Sequence, residues 1–274
     1  MNWTAKRDAF LAALHTRPLV MGILNATPDS FSDGGQHDSV EAALTRARQM
    51  VTEGCDVLDI GGESTRPGAT PVELEEELQR VLPVVRALGG DETPVSIDTY
   101  KAATARAAVE AGAVIINDVW GAQKDPEMAA AMAETEAAVV LMHNRAEANV
   151  DVDVMEDMRA FLSKSLEIVT KAGVLRDRIL LDPGIGFGKT PEQSLTCLNR
   201  LDDIADWFGL PVLLGLSRKR MIGHVLDVPV DRRLTGTLAA NMIGLARGAN
   251  VLRVHDVVEH VQATKMYTAV RTVP

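Results

Sequence analysis

Short runs of apolar residues recur along the chain, and each is followed by polar or glycine-rich residues and then by a helical pattern. The runs lie at residues 19–24, 56–60, 94–97, 113–116, 137–142, 178–181, 210–215 and 251–254. Continuous apolar runs are typical of parallel strands that are buried on both faces. Eight strands alternating with helices in 274 residues predict an α/β fold, a (β/α)₈ TIM barrel, with a doubly wound open sheet as the alternative.

The same pattern predicts the domain organisation. No stretch of linker composition separates the units, so residues 1–274 are expected to form a single domain. Residues 1–17 have an amphipathic helical pattern and would form an N-terminal helical extension, with the barrel over residues 19–270. Thr70-Pro71 and Thr190-Pro191 each place a hydroxyl residue before a proline. This arrangement predicts that helices begin at both sites.

Composition excludes several classes of protein. The net charge is −10, from 28 basic and 38 acidic residues, which argues against nucleic-acid and membrane-surface binding but leaves room for a locally basic site. No apolar run approaches the roughly 18 residues that span a bilayer, and the N-terminus lacks a signal-peptide core. Cys55 and Cys197 have no metal-binding spacing and are expected to be buried thiols. The expected location is the cytoplasm.

Polar residues stand at or just after the ends of the predicted strands. They are Asn25, Asp59, Asp98, Asn117, His143, Asp182, Lys219, Arg253 and His255. Taken singly, an aspartate after a strand is often a turn residue and a histidine is often structural. A closed barrel, however, brings the carboxyl ends of all its strands to one face, where barrel enzymes have their active sites. The coincidence therefore favours a shared site.

The residue types divide by chemistry. Carboxylate and amide oxygens at Asp98, Asn117 and Asp182, with the cation of Lys219, match a flat heterocycle that carries N–H donors. Asn25, Arg253 and His255 suit a phosphate group, alone or with Mg²⁺, which binds few protein oxygens and shares phosphate oxygens. The bound partners are thus expected to be small molecules.

Two motifs indicate less than they first suggest. Residues 184–190 resemble a phosphate-binding P-loop, but the spacing is one residue short and Pro183 replaces the first glycine. Residues 217–220 resemble a basic nucleic-acid patch. In an acidic chain, basic residues directly after a buried strand are better interpreted as part of an anion or substrate site.

Four motifs together resemble bacterial dihydropteroate synthases, and the similarity covers essentially the whole chain in order. They are residues 25–35 (NATPDSFSDGG), 59–68 (DIGGESTRPG), 182–189 (DPGIGFGK) and 217–219 (SRK). The resemblance implies a (β/α)₈ barrel that joins 6-hydroxymethyl-7,8-dihydropterin diphosphate to 4-aminobenzoate. The products would be 7,8-dihydropteroate and pyrophosphate, in folate biosynthesis. Members of this family are usually homodimers.

The resemblance also implies roles for individual residues. Pterin contacts fall on Asp98, Asn117, Met142, Asp182 and Lys219. Asn25 matches the Mg²⁺ ligand, and it would bind the diphosphate together with Arg253 and His255. The aminobenzoate region, where sulfonamides bind, falls on Phe31, Thr65, Arg66, Pro67 and Ser217. Catalysis is assigned to Asp98, Asp182 and Lys219 in a dissociative substitution, with Asp33 as a hypothetical assistant of the first loop or of the amine proton.

Two other functions fit the same barrel. A methyltransferase that binds a methylated folate would share the pterin contacts, but it would not need the loop Ser64-Thr65-Arg66-Pro67. A catalytically silent pterin-binding protein would be expected to lack Asn25, Lys219 or Arg253, and all are present. Both features favour the synthase.

Overall fold

The computed structural model describes residues 2–26, 36–63 and 70–273. Eight parallel strands form a closed barrel in sequence order, which confirms the predicted barrel and excludes the open sheet. The strands are β1 Leu19–Asn25, β2 Val57–Gly61, β3 Val95–Asp98, β4 Ile115–Asp118, β5 Ala138–Met142, β6 Ile179–Asp182, β7 Val212–Leu214 and β8 Ala249–Val254. The helices are α1 Trp3–Ala13, α2 Gln36–Thr52, α3 Leu74–Leu88, α4 Ala102–Glu110, α5 Met128–Thr135, α6 Val154–Ala172, α7 Pro191–Asn199, α8 Asp202–Phe208, α9 Arg220–Leu226, α10 Leu234–Ala246 and α11 Val257–Thr272.

Buried apolar side chains separate into two cores, because successive residues of a strand point to opposite faces. The barrel interior is filled by Met21, Val57, Ile115, Val140, Leu180, Leu213 and Val251. The larger core lies between the barrel and the helices and includes Leu58, Ile60, Ile97, Ile116, Leu141, Leu181 and Leu252. Inward-facing residues recur at every second position of a strand. Polar residues that lie two positions beyond an interior residue therefore also point into the barrel.

Helix α1 closes one end of the barrel. Its residue Phe10, with Leu14 just beyond the helix, packs against the interior core. The indole of Trp3 donates to the carbonyl of Ala113 at 2.8 Å, and Lys6 donates to the carbonyl of Gly89 at 2.8 Å. Both carbonyls precede strands, so α1 covers the amino ends of the strands. The predicted N-terminal helix is confirmed, and a ligand site is left to the carboxyl ends.

One predicted helix start is confirmed and the other is wrong. Thr190 caps α7 through a capping box with Gln193. Helix α3, in contrast, begins at Leu74 with Glu73 as its N-cap, three residues later than an N-cap at Thr70 predicts. Three glutamates, at residues 75–77, place negative charge in the first turn of α3, where it stabilises a helix N-terminus. Within the described residues, no helix is both long enough and apolar enough to span a membrane.

Candidate active site

An arginine held between two buried aspartates occupies the centre of the barrel mouth. Arg253 on β8 donates from Nε to Asp59 Oδ2 at 2.6 Å and from Nη2 to Asp98 Oδ2 at 2.5 Å. Asp59 is fully buried, and Asp98 is 5% exposed. Charges this deeply buried are tolerated when they are paired and hydrogen-bonded. The three side chains come from β2, β3 and β8, so the pairing fixes one wall of the mouth.

Asn117 extends this wall to β4. It is the register partner of Asp98, and its amide nitrogen donates to Asp59 Oδ2 at 3.2 Å. Asp59 Oδ1 and Asp98 Oδ1 are buried and accept no hydrogen bond from any residue that the structure describes. Buried acceptors normally have partners. This pair of oxygens is therefore suited to a ligand that presents N–H donors to the mouth.

Asp182 and Lys219 form the opposite side. The backbone N–H of Gly184 donates to Asp182 Oδ1 at 2.7 Å. Lys219 Nζ donates to the carbonyl of Ile185 and lies 4.3 Å from the ring centroid of Phe187. Gly186, at a positive φ of 80°, gives the lysine stem room, because a Cβ there would be 3.1 Å from Lys219 Cδ. The glycine-rich loop thus shapes the pocket for Lys219.

Burial and neighbouring charges change the pKa values of the ionisable groups in the mouth. Burial raises the pKa of Asp98 to about 7 against the opposing charge of Arg253. It lowers the pKa of Lys219 to about 7 against the opposing charge of Asp182, and it raises the pKa of Asp182. Burial opposes the charge of Arg253, but Asp59 and Asp98 outweigh it and raise the pKa of that guanidinium. Perturbed groups facing one cleft are typical of functional sites.

Ser217 and His255 lie side by side beyond the ends of β7 and β8. The Ser217 hydroxyl accepts from the backbone N–H of His255 at 3.3 Å and lies 3.0 Å from His255 Nδ1. The sequence assigned these two residues to the aminobenzoate and the diphosphate. Their contact means that the two proposed binding regions share a boundary.

Asn25 ends β1, beside Gly61 of β2 in the strand register. It is exposed, so its amide oxygen is accessible to a ligand. Among the described residues, no group of three or more His, Cys, Asp or Glu side chains is arranged to hold a metal. Mg²⁺ commonly keeps several waters and binds through one or two protein oxygens plus phosphate oxygens. The donor set therefore fits Mg²⁺ brought with a diphosphate better than a site built wholly from protein.

The structure thus places Asp98, Asn117, Asp182, Lys219 and Arg253 around one mouth. Met142 ends β5 as the register partner of Asp182, two residues beyond the interior residue Val140. Phe31, Asp33, Thr65, Arg66 and Pro67 lie outside the described residues, and their assigned roles stay predictions.

One strand-end residue was wrongly expected at the mouth. His143 follows the inward Met142 and points outward to α6, where Nε2 lies 2.9 Å from Asp157 Oδ2. Its ring packs edge-on against Phe161, with the centroids 5.1 Å apart. Burial, with the nearby positive charges of Lys189 and Arg145, lowers the pKa of His143 to about 2. This neutral, enclosed histidine has a structural role.

The loop of residues 184–190, which resembles a P-loop, is stabilised by hydrogen bonds within itself. Lys189 is buried and donates to the carbonyls of Gly184 at 2.9 Å and Phe187 at 3.2 Å. A Cβ on Gly184 would lie 1.8 Å from the carbonyl oxygen of His143, so this tight packing requires glycine. Because the lysine is bonded to backbone carbonyls, the geometry supports the interpretation that this loop does not cradle phosphate.

Sequence reasoning missed a buried ion network behind the site. Lys101 Nζ bridges Glu63 at 2.6 Å and Glu77 at 2.7 Å, and Tyr100 donates to Glu63 at 2.8 Å. Glu63 is the last described residue before the segment 64–69. The only signal in the sequence was an acid, Glu63, within a glycine-rich motif, and this does not identify its partners Tyr100 and Lys101, which are 37 and 38 residues distant.

We expect Lys101→Met to lower the free energy of unfolding by about 3 kcal/mol, because it leaves Glu77 buried without its cationic partner. Lys171→Met is the matched control. Its partner Glu167 lies at the same 2.6 Å, but both side chains are mostly exposed, so almost no loss of stability is expected. Urea unfolding of both variants measures the difference. Equal losses would show that the network contributes no more than a surface pair.

Comparison with known proteins gives a consistent picture. Residues 21–255 match the model of a family described as pterin binding enzyme. The chain is 49% identical over 266 residues to the dihydropteroate synthase of Bacillus subtilis, covering 93% of each chain. It matches a crystal structure of dihydropteroate synthase from Clostridium difficile, obtained in the presence of pteroic acid, with a TM-score of 0.90 and 46% identity over 93% of this chain and 97% of that one. The Xanthomonas albilineans dihydropteroate synthase with 4-aminobenzoic acid matches with a TM-score of 0.90 and 46% identity over 94% of each chain.

Proposed function

The chain belongs to the dihydropteroate synthase family of pterin-binding enzymes, and we propose that it joins 6-hydroxymethyl-7,8-dihydropterin diphosphate to 4-aminobenzoate. The products are 7,8-dihydropteroate and pyrophosphate, which makes the enzyme a transferase of folate biosynthesis. The observation that carries this proposal is the ring of inward polar side chains at one barrel mouth, with the free acceptor oxygens of Asp59 and Asp98. The matches to synthases solved with pteroic acid and with 4-aminobenzoic acid agree with both halves of the reaction.

The proposed binding mode follows from donors and acceptors. Asp98, Asn117 and Asp182 offer oxygens to the ring N–H and amino groups of the pterin, and Lys219 offers a cation that donates to ring acceptors. Arg253 forms ion pairs with two carboxylates. Its net electrostatic attraction for an anionic leaving group is therefore weaker than that of an unpaired arginine. His255, next to Ser217, lies at the boundary where the diphosphate meets the incoming amine.

In the proposed reaction the C–O bond to the diphosphate breaks first, and its electron pair stays on the departing oxygen. The positive charge left on carbon is delocalised into the electron-rich pterin, and the carboxylates of Asp98 and Asp182 favour it electrostatically. The lone pair of the arylamine nitrogen then forms the C–N bond, and one amine proton leaves to a base or to water. Asp33 is the hypothetical acceptor of that proton. The arylamine is already a nucleophile, so the protein mainly orients it.

Mg²⁺ is part of the proposal. Asn25 would supply its protein ligand at the end of β1, and the remaining ligands would be diphosphate oxygens and water. When bound, the cation neutralises charge on the leaving diphosphate.

An assay for pteroate formation from the two substrates tests the function. We expect product with both substrates, inhibition by a sulfonamide and loss of activity in excess chelator that returns with added Mg²⁺. Full activity in excess chelator would remove Asn25 from a metal site. Absence of product under all conditions, with the protein folded, would overturn the proposed function.

A homodimer is the proposed assembly. Helix α10 is apolar on nearly all sides yet leaves Ile243 51% exposed, and neighbouring α11 exposes Met266 and Val270 one turn apart. Clustered exposed apolar residues mark interaction surfaces. We expect Ile243→Lys with Met266→Glu to shift sedimentation equilibrium to the monomer, whereas Val150→Lys, on an exposed loop residue, leaves the dimer intact. An unchanged mass in the double variant would contradict this interface.

The cytoplasmic location also remains a proposal, and cell fractionation tests it.

A further inference from the structure

Arg218 has an unusual backbone conformation between two candidate site residues. Its φ is +58°, in the left-handed region that side chains other than glycine, asparagine and aspartate rarely adopt. Ser217 and Lys219 flank it, and both face the mouth. A backbone strain at this position persists only if surrounding contacts hold it.

The side chain of Arg218 makes one such contact. Nε donates to Asp256 Oδ2 at 3.0 Å, and Nη2 donates to Asp256 Oδ1. The pair has two parallel hydrogen bonds, which fix orientation as well as distance. Asp256 directly follows His255, so the pair ties the turn after β7 to the turn after β8.

Thr237 of α10 and Arg233, the N-cap residue of that helix, hold the backbone of Arg218 from both sides. The N–H of Arg218 donates to Thr237 Oγ1 at 3.1 Å, and its carbonyl accepts from Arg233 Nη1 at 3.0 Å. Arg233 reaches this carbonyl across Gly223, where a Cβ would lie 2.3 Å from Arg233 Nη2. Side-chain and backbone contacts together therefore fix the turn 217–219.

We propose that Arg218 and Asp256 are positioning residues that keep Ser217 against His255, and so set the binding of 4-aminobenzoate. This inference rests on the proposed function, which assigns Ser217 to that substrate. Lys219 has interactions of its own, a hydrogen bond to the carbonyl of Ile185, a contact with the ring of Phe187 and attraction to the charge of Asp182. Loss of the Arg218–Asp256 pair therefore displaces Ser217 more than Lys219.

This arrangement separates a positioning role from a purely structural one. The Arg218 side chain is 37% exposed, and ion pairs with an exposed partner contribute little to stability. A structural role would change the melting temperature and both substrate constants together. A positioning role changes the aminobenzoate constant with little change in stability.

The test uses two variants that remove the pair from opposite ends. Asp256→Asn keeps the size of the side chain, and Arg218→Gly permits the left-handed backbone. Both are expected to raise KM for 4-aminobenzoate about 10-fold, equal to about 1.4 kcal/mol, and to change KM for the pterin diphosphate less than about 2-fold. The double variant is expected to be no worse than either single variant, because the same interaction is removed.

Asp203→Asn is the matched control, since Asp203 also forms an ion pair with an arginine, Arg200, on the surface and accepts a hydrogen bond from its Nε. It should leave both constants unchanged. An aminobenzoate KM within about 2-fold of wild type in both variants, equal rises for both substrates, or additive losses in the double variant would overturn the proposal. A wild-type enzyme that makes no pteroate would instead overturn the proposed function, so the two failures are distinguishable.

Discussion

Replacement of Asp98 by asparagine is expected to lower kcat/KM for pteroate formation by about 100-fold or more. The substitution keeps the shape but removes a buried charge that lies 2.5 Å from Arg253 and that would accept N–H groups of the pterin. Hydrogen bonds to charged groups contribute about 1.5–3 kcal/mol each, and each 1.36 kcal/mol of transition-state stabilisation is a factor of about ten. Both ring anchoring and stabilisation of the cationic intermediate would be weakened.

Asp118→Asn is the matched control for this measurement. Asp118 is as buried as Asp98, and burial raises its pKa to about 6 against the backbone N–H donors of Trp120 and Ala122. It ends β4, immediately after the inward Asn117, and therefore points to the helices, where it accepts from those two N–H groups. We expect Asp118→Asn to keep kcat/KM within about 3-fold of wild type, because an amide oxygen can still accept one of the backbone bonds.

Steady-state kinetics of the two variants separate a ring contact from a general effect of a buried aspartate. Near-normal turnover in Asp98→Asn would remove Asp98 from the ring site. A comparable loss in both variants would mean that burial of a carboxylate, not its position in the mouth, determines activity. Melting temperatures measured alongside keep the comparison to folded protein.

The contrast between Asp98 and Asp118 shows what the sequence could reveal. Eight apolar runs with polar ends are enough to predict the barrel and the face of the site, because a closed parallel barrel brings all carboxyl ends together. The same reasoning failed for His143, since a strand end contributes one inward and one outward residue. Strand bounds differ by one or two residues from the apolar runs, and that difference decides which residue faces the mouth.

Other features had no signal in the sequence. Asp59 was recognised as a strand-end acid but received no role, because its partners Arg253 and Asn117 are 194 and 58 residues distant. The left-handed conformation of Arg218 could not be predicted either, since arginine does not favour it. Helix α3 begins after the Thr70 signal, which shows tertiary contacts overriding a local preference. These features depend on which surfaces meet after folding.

Lys219→Arg is expected to remove an alkaline fall in kcat/KM for the pterin diphosphate. Burial lowers the pKa of Lys219 to about 7, so its cation is lost in the wild type as the pH rises above neutrality. At pH 8.5, which is above this pKa, most molecules would lack the charge. An arginine stays protonated throughout this range, so the ratio of variant to wild-type activity should rise about 10-fold or more between pH 6.5 and 8.5.

At pH 6.5 the kcat/KM of Lys219→Arg is expected to be several-fold below that of the wild type, because the larger guanidinium must fit beside Gly186 and Phe187. The shape of the profile is therefore the decisive measurement, and titration of the substrates cancels in the ratio of the two enzymes. Lys164→Arg, on an exposed residue of α6, should retain the wild-type profile. If Lys219→Arg shows the same alkaline fall as wild type, the titrating group is not Lys219, and its cation is not required for pterin binding.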